Sequence, residues 1–368
     1  MMNGLAERNS RAGMPDHDVR FTVIVTTYNY AHLLPDALRT VAAQTVQDFE
    51  LLVVDDGSTD NTEEVVARFQ PQFRDCRYLK KTHSGPADTR NFAVRAALGT
   101  HIAFLDADDL WSPHYLRTVG EAFKASPEAD MVLFEGITFW SENRTITDIA
   151  LIEGIPPMRG PARAARDIFS ILRVLSPSGM VFLKTLYDQA GPFDTEIFGW
   201  FGEDLDWTLR ALLAGAFCVC SNQRPYLYRR HDANLTNKAA NSFRAWLSIY
   251  SQTLGENRVD PELKALVRGM IRSHSVRFLT TCSNREARVL LRLGIETLGG
   301  DVRIRLCYLG TYLGLAGLLK LLKQFKQFGR GLFRRKLAID LGASPEVIFD
   351  ALPKCSYAPG HRCKERDM

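Results

Sequence analysis

The residues of this chain best placed to do chemistry are acids that end apolar runs. His101-Ile102-Ala103-Phe104-Leu105 leads into Asp106-Ala107-Asp108-Asp109, and Phe49-Glu50-Leu51-Leu52-Val53-Val54 leads into Asp55-Asp56-Gly57-Ser58. Two acids two positions apart on an extended backbone point to the same side, so Asp106 and Asp108 can converge on one hard cation or on its ligands. Mg2+ or Mn2+ prefers oxygen ligands and is commonly held by one or two carboxylates plus substrate phosphates, which makes a diphosphate the expected partner. The spacing alone leaves a simpler reading open, in which these acids only cap a helix beginning near Ser112.

The surrounding elements must bring both acid groups to one place. Phe21-Thr22-Val23-Ile24-Val25-Thr26-Thr27 is β-branched and apolar, as expected of a strand buried on both faces. Ala31 to Gln44 carries Leu33, Leu34, Ala37, Leu38 and Val41 at helical spacing, and Pro35 falls in the first turn, where it is tolerated. Asp60-Asn61-Thr62-Glu63 has the form of a capping box opening a helix to about Phe69. A third unit runs through Arg77-Tyr78-Leu79 and a helix from Ala87 to Leu98, which Gly99 ends before the strand that carries Asp106. A helix over Pro113 to Ala125 and a strand over Met131 to Phe134 follow. This alternation predicts an α/β fold on a parallel sheet, and such sheets bind ligands at the carboxyl ends of their strands. Pro156-Pro157, Gly160 and Pro161 mark a loop between Trp140 and Arg166, an acceptor-side flap in expectation. From Ala239 onward helical patterns dominate. The expected division is a disordered lead-in over 1–20, a catalytic domain over 21–238 and a helical basic region over 239–368.

The 368 residues carry a net charge of +4, unevenly spread: Val302 to Ile339 holds nine Lys or Arg and no acid. Within it Leu306, Leu309, Leu313, Ala316, Leu319 and Leu322 form an apolar pattern followed by Lys320, Lys323, Lys326, Arg330, Arg334, Arg335 and Lys336. This predicts either an interfacial helix on an anionic membrane or a helix packed on the catalytic domain with a solvated basic face. The uncharged stretch Leu306 to Leu319 is shorter than the roughly 20 residues a membrane-spanning helix needs. The seven cysteines are scattered without metal-ligand spacing, which fits reduced thiols in a cytoplasm. The first strand is followed by Thr26-Thr27-Tyr28-Asn29-Tyr30 and lacks the glycine-rich turn of a dinucleotide-dependent oxidoreductase. No GxxxxGK[ST] phosphate loop occurs, and no recognised nucleic-acid module accompanies the basic tail.

Val23-Ile24-Val25-Thr26-Thr27-Tyr28-Asn29, Val53-Val54-Asp55-Asp56-Gly57-Ser58-Thr59-Asp60, Arg90-Asn91 and Phe104-Leu105-Asp106-Ala107-Asp108-Asp109 occur in one order, and together they resemble the family 2 glycosyltransferases of the GT-A fold. The resemblance covers about Phe21 to Asn234. It implies a GT-A type, Rossmann-like and mostly parallel sheet flanked by helices, to which the C-terminal third adds a helical appendage. It matches Asp56 to an acid that accepts a hydrogen bond from the nucleotide base, and Thr26 and Tyr28 to residues beside the nucleoside. A uracil N3-H suits that carboxylate, as do the imide of thymine and the N1-H of guanine. Asp55 reads as a turn acid, and a lone loop histidine such as His83 receives no role. Arg90 matches an arginine near the donor site, where it would contact the diphosphate or orient Asp106.

Gly199-Trp200-Phe201-Gly202-Glu203-Asp204 resembles the family's Glu-Asp segment. The resemblance makes Asp204 the catalytic base and Glu203 an acceptor-binding acid; Gly199 and Gly202 bracket Trp200 and Phe201, which suits a mobile loop whose aromatics stack on a sugar, with core packing as the other reading. Asp206, four residues before Arg210, is expected to form an intrahelical ion pair. Tyr228-Arg229-Arg230-His231 resembles the later histidine segment, so His231 would join Asp106 and Asp108 in holding Mn2+ or Mg2+. The implied function is an inverting transfer from a nucleotide sugar, with a UDP-sugar favoured, to a hydroxyl of a glycan or lipid-linked acceptor. Surface polysaccharide synthesis, in the cytoplasm or peripherally at the inner face of the membrane, is the expected setting. The alternative is an inactive sugar-nucleotide-binding or membrane-docking protein.

Overall fold

The computed structural model describes residues 20–151, 157–162, 164–196, 202–232, 234, 239–251, 260–281, 284–299, 301–312 and 335–352. Four parallel strands open the chain: β1 (Phe21–Thr27), β2 (Phe49–Asp55), β3 (Cys76–Lys80) and β4 (His101–Asp106), in the order β4-β1-β2-β3. The crossovers are α1 (Leu34–Ala42), α2 (Thr62–Phe69) and α3 (Pro86–Ala96). Side chains alternate across these strands. Ile24, Leu52, Val54, Ile102 and Phe104 enter one hydrophobic cluster, and Val23, Val25, Leu51, Val53 and Leu105 enter another on the opposite face. Helices cover both faces, which is why the strands read as continuous apolar runs. In register, Thr26 lies beside Val54 and Asp106, and Thr27 beside Asp55. That register alone brings the residues following β1, β2 and β4 to a common edge.

Beyond Asp106 the sheet becomes mixed. β5 (Leu110–Trp111) is followed by α4 (Tyr115–Ala125), β6 (Met131–Glu142), β7 (Thr145–Leu151), β8 (Met158–Pro161), α5 (Ala165–Val174) and β9 (Met180–Leu183). α6 (Lys184–Ala190), α7 (Glu203–Leu213) and β10 (Phe217–Arg230) complete this part. β9 inserts antiparallel between β4 and β6, while the long β10 runs parallel to β6 and antiparallel to β5 and β8. Part of the stretch expected as a flap is a hairpin instead: β6 and β7 are joined through Asn143 and Arg144, both with positive φ (46° and 61°), the conformation of a tight two-residue hairpin turn. Residues 152–156 and 163 of that stretch lie outside the described residues.

After β10 come the helices α8 (Ala239–Ile249), α9 (Pro261–Thr281), α10 (Asn284–Leu298) and α11 (Val302–Gly310). Phe243, Trp246, Ile271, Leu291 and Ile304 share one cluster with Ile24, Phe104 and Trp207, so these helices pack into the same core as the sheet. Then the chain returns: β11 (Arg335–Asp340) adds antiparallel to β7, and α12 (Pro345–Asp350) follows. Ile339, Leu341, Ile348 and Leu352 close a third cluster with Leu110, Ile137, Phe139 and Leu227. Of the apolar and basic pattern expected as an interfacial helix, residues 313–334 lie outside the described residues. The lead-in up to residue 19 lies outside them too. Among the described residues no helix is long and apolar enough to cross a membrane.

Candidate active site

The edge at which β1, β2 and β4 end carries two acid-centred sites. At the first, Asp55 is a turn acid: its Oδ1 accepts from Ser58 N at 2.7 Å and its Oδ2 from the Tyr78 hydroxyl at 2.5 Å. Gly57 turns with φ of +83°, and a Cβ there would meet His83 N at 2.9 Å, so this tight approach needs glycine. Asp60 Oδ1 accepts from Thr62 N and Oγ1 at the start of α2, and its Oδ2 accepts from Ala31 N at 3.0 Å. The expected capping box does not form: Asn61, not Asp60, is the N-cap of α2 and makes no side-chain cap bond, and Asp60 instead ties the start of α2 to the turn after β1.

Asp56, nearly buried, lies under the loop before α3. Its carboxylate accepts from Lys81 Nζ (2.9 Å), Ser84 N (3.0 Å) and Gly85 N (2.9 Å), and His83 Nδ1 stands 2.8 Å away. The Tyr28 ring stacks on the His83 imidazole, 3.9 Å between centroids with 10° between planes. Thr26, at the end of β1, is half-buried beside Asp106 in the strand register.

At the second site Asp106 Oδ1 pairs with Arg90 Nη2 at 3.0 Å, and Arg90 Nη1 binds Glu203 of α7. Arg90 Nε is buried without a partner among the described residues. Asp108 Oδ2 stands 2.9 Å from His231 Nε2 and 3.2 Å from Asn234 Nδ2. Asp109 is fully buried and accepts from Ser178 Oγ at 2.6 Å and from Arg229 N at 2.9 Å. The Arg229 guanidinium donates to the Asp108 carbonyl at 2.7 Å and pairs with Asp36 Oδ2 at 3.0 Å. Through Asp36, which Arg39 and Arg144 also bind, the carboxylate loop is braced against α1 and the β6–β7 hairpin.

Burial raises the carboxyl pKa of Asp106, Asp109 and Asp204. For Asp106 the neighbouring Asp108 adds to the rise and Arg90 opposes it. The Tyr30 hydroxyl is pushed up as well, by burial and then by Asp108, Asp106 and Asp109. Negative charge is therefore crowded at this edge. Among the described residues no three of His, Cys, Asp and Glu converge on one metal position. One or two carboxylates suffice for a hard divalent ion that draws its remaining ligands from phosphate and water, which leaves Asp106 and Asp108 as candidates, while His231 Nε2 is engaged with Asp108 Oδ2.

Asp204 stands at the second position of α7 and its Oδ1 accepts from Leu205 N at 2.9 Å. The helix N-terminus favours an anion there. Gly202 precedes it at φ of +97°, and a Cβ would come 2.4 Å from Ala245 Cβ of α8. Glu203, expected at the acceptor, has its buried carboxylate turned to Arg90. Asp206 makes the expected ion pair with Arg210 at 2.8 Å. Trp200 lies outside the described residues. Lys81, Ser178, Arg229 and Asp36 were not singled out from the sequence, and His83 was given no role there. His83, Lys81, Ser178 and Arg229 each reach a site acid from a distant element, and Asp36 acts through Arg229.

Residues 22–190 match the family described as Glycosyl transferase family 2. Over 261 residues the chain is 30% identical to the validoxylamine A glucosyltransferase of Streptomyces hygroscopicus subsp. jinggangensis, an alignment covering 62% of this chain and 61% of that protein. It spans 34% and 17% of the length of two further curated relatives, uncharacterized glycosyltransferases of Nostoc and Rickettsia felis. Among solved structures it is similar to S. aureus TarS 1–349 in complex with UDP-GlcNAc, with a TM-score of 0.57, 18% identity, and 80% of this chain and 92% of that one covered. It is similar also to the mannosyltransferase PcManGT from Pyrobaculum calidifontis in complex with GDP-Man and Mn2+, with a TM-score of 0.52 and 19% identity over 83% of this chain and 84% of that one.

Proposed function

We propose, from the match of residues 22–190 to glycosyl transferase family 2 and from the GT-A fold of the chain, that it transfers a sugar from a nucleoside-diphosphate donor to an acceptor hydroxyl, with inversion. One observation carries the reading. One acid site (Tyr28, Asp56) and a second acid cluster (Arg90, Asp106, Asp108) lie at a single sheet edge, at the ends of the neighbouring strands β2, β1 and β4, where a nucleotide and its diphosphate could be held together.

In this reading Thr26 and Tyr28 flank the nucleoside and Asp56 receives the base. A divalent ion held by Asp106 and Asp108, with phosphate and water as its other ligands, would neutralise charge developing on the diphosphate. Arg90, with a planar fork suited to either phosphate or carboxylate, holds Asp106 and has donors to offer the leaving oxygens. Asp204 takes the proton of the acceptor hydroxyl while that oxygen bonds to the anomeric carbon. The bond to the diphosphate breaks on the opposite side, and its electron pair leaves with the nucleotide. Glu203 anchors Arg90, and Trp200 is assigned to the acceptor. The solved relatives carry UDP-GlcNAc in one case and GDP-Man with Mn2+ in the other. We favour a UDP-sugar, with a glycan or lipid-linked acceptor in surface polysaccharide synthesis. The exposed Val302, Leu306, Leu309 and Tyr312 of α11 and its following turn, flanked by Arg303 and Arg305, support peripheral contact with an anionic membrane.

The test is slow donor hydrolysis. Purified protein is incubated with UDP-, dTDP- and GDP-sugars, with and without Mn2+ or Mg2+, and nucleotide release is measured. Metal-dependent release from one donor is expected, whereas no release and no calorimetric binding with any donor would refute the proposal.

A further inference from the structure

We infer that His83 fills the nucleobase position in the free protein and that a nucleobase enters by displacing its ring, a step that presupposes the assignment of Asp56 and Tyr28 to the base. The imidazole makes both contacts a base would make there. It lies flat on Tyr28 at 3.9 Å between centroids, and its Nδ1 is 2.8 Å from Asp56 Oδ2. With a carboxylate as partner, Nδ1 carries the proton.

Asp56 has no acceptor capacity to spare. A carboxylate offers about four lone-pair sites, and Lys81 Nζ, Ser84 N, Gly85 N and His83 Nδ1 meet them. A base N-H can be received only after one of these donors leaves. Ser84 N and Gly85 N are backbone amides of the turn that opens α3. Lys81, only 13% exposed, also pairs with Asp88 at 2.9 Å and donates to the Thr82 carbonyl. The His83 donor instead belongs to a side chain that is 34% exposed, and its Nδ1 also stands 3.1 Å from the Asp56 carbonyl. It is therefore the donor that yields.

Closure of this kind sets a threshold. The apparent dissociation constant of any ligand that enters the base position is its intrinsic value divided by the fraction of molecules in which the ring is open, while a ligand confined to the phosphate end is unaffected. The test is calorimetric titration of the full chain and its H83A and D56A variants with UDP and with inorganic pyrophosphate, in the presence of Mn2+. H83A should bind UDP about three- to tenfold more tightly, the range that releasing one hydrogen bond implies, and bind pyrophosphate as before. Unchanged or weaker UDP binding by H83A, or equal tightening toward pyrophosphate, would overturn the inference. D56A separates the two failures. If it binds UDP as tightly as the unaltered protein, the base-site assignment itself is wrong; if it weakens UDP while H83A does not tighten it, only the role of His83 falls.

Discussion

Asp204 concentrates the residue-scale chemistry of this chain. Burial pushes its carboxyl pKa up, and Arg90 opposes the rise. A base must be ionised to accept a proton, so transfer should fall as pH drops through that raised value. The acid limb of the kcat profile should then lie above the ordinary carboxylate range of about 4, and a limb at or below that range would count against Asp204 as base. Asp204→Asn keeps the shape of the side chain and removes its basicity. Turnover should drop by about 10²- to 10⁴-fold with nucleotide affinity nearly unchanged; steady-state kinetics beside calorimetry check both. That Asp56, Asp106 and Asp108 lie at strand ends and Asp204 opens a helix was readable from the sequence, whereas the roles given to Asp56 and Asp204 came from the resemblance to a family. Their partners were not readable. Arg229 reaches Asp108 and Asp109 across more than a hundred residues of chain, and Lys81 reaches Asp56 from the far end of β3.

At the scale of elements, the turns that enter helices decide whether the acids arrive correctly. Gly202 sets the start of α7, and its missing side chain is what lets α8 approach. Gly202→Ala places a Cβ against Ala245 and also strains a positive φ, so a loss of about 1–3 kcal/mol is expected. Urea unfolding measures it, and a loss of turnover larger than the loss of stability would show that α7 has moved Asp204. The first four strands and three crossovers were legible from local periodicity: β1, β2 and β3 pair with the neighbours their crossovers deliver, whereas β4 passes back to pair with β1. The β6–β7 hairpin was missed because Asn143 and Arg144 lack the glycine that usually marks so tight a turn.

Across the whole molecule, the C-terminal segment closes the fold. β11 extends the sheet at β7, Arg39 Nη1 donates to the Leu341 carbonyl at 2.9 Å, and Ile348 is buried against the cluster that backs β5, β6 and β10. Ile348→Ala should cost about 2–5 kcal/mol, read as a lower denaturant midpoint with an unchanged slope. An effect under about 0.5 kcal/mol, the scale of a surface substitution, would show that α12 does not hold the cluster together.

By itself the amino-acid sequence determined the class of fold and the order in which the chain presents acids at its strand ends, because apolar periodicity and strand-end chemistry are local properties. Only the tertiary structure decided that Glu203 faces Arg90, that His83 lies on Tyr28 and Asp56, and that a short basic segment after residue 334 becomes the last strand of the sheet. Those outcomes follow from which distant groups can satisfy a buried charge or an unpaired sheet edge, and that is settled by packing rather than by spacing along the chain.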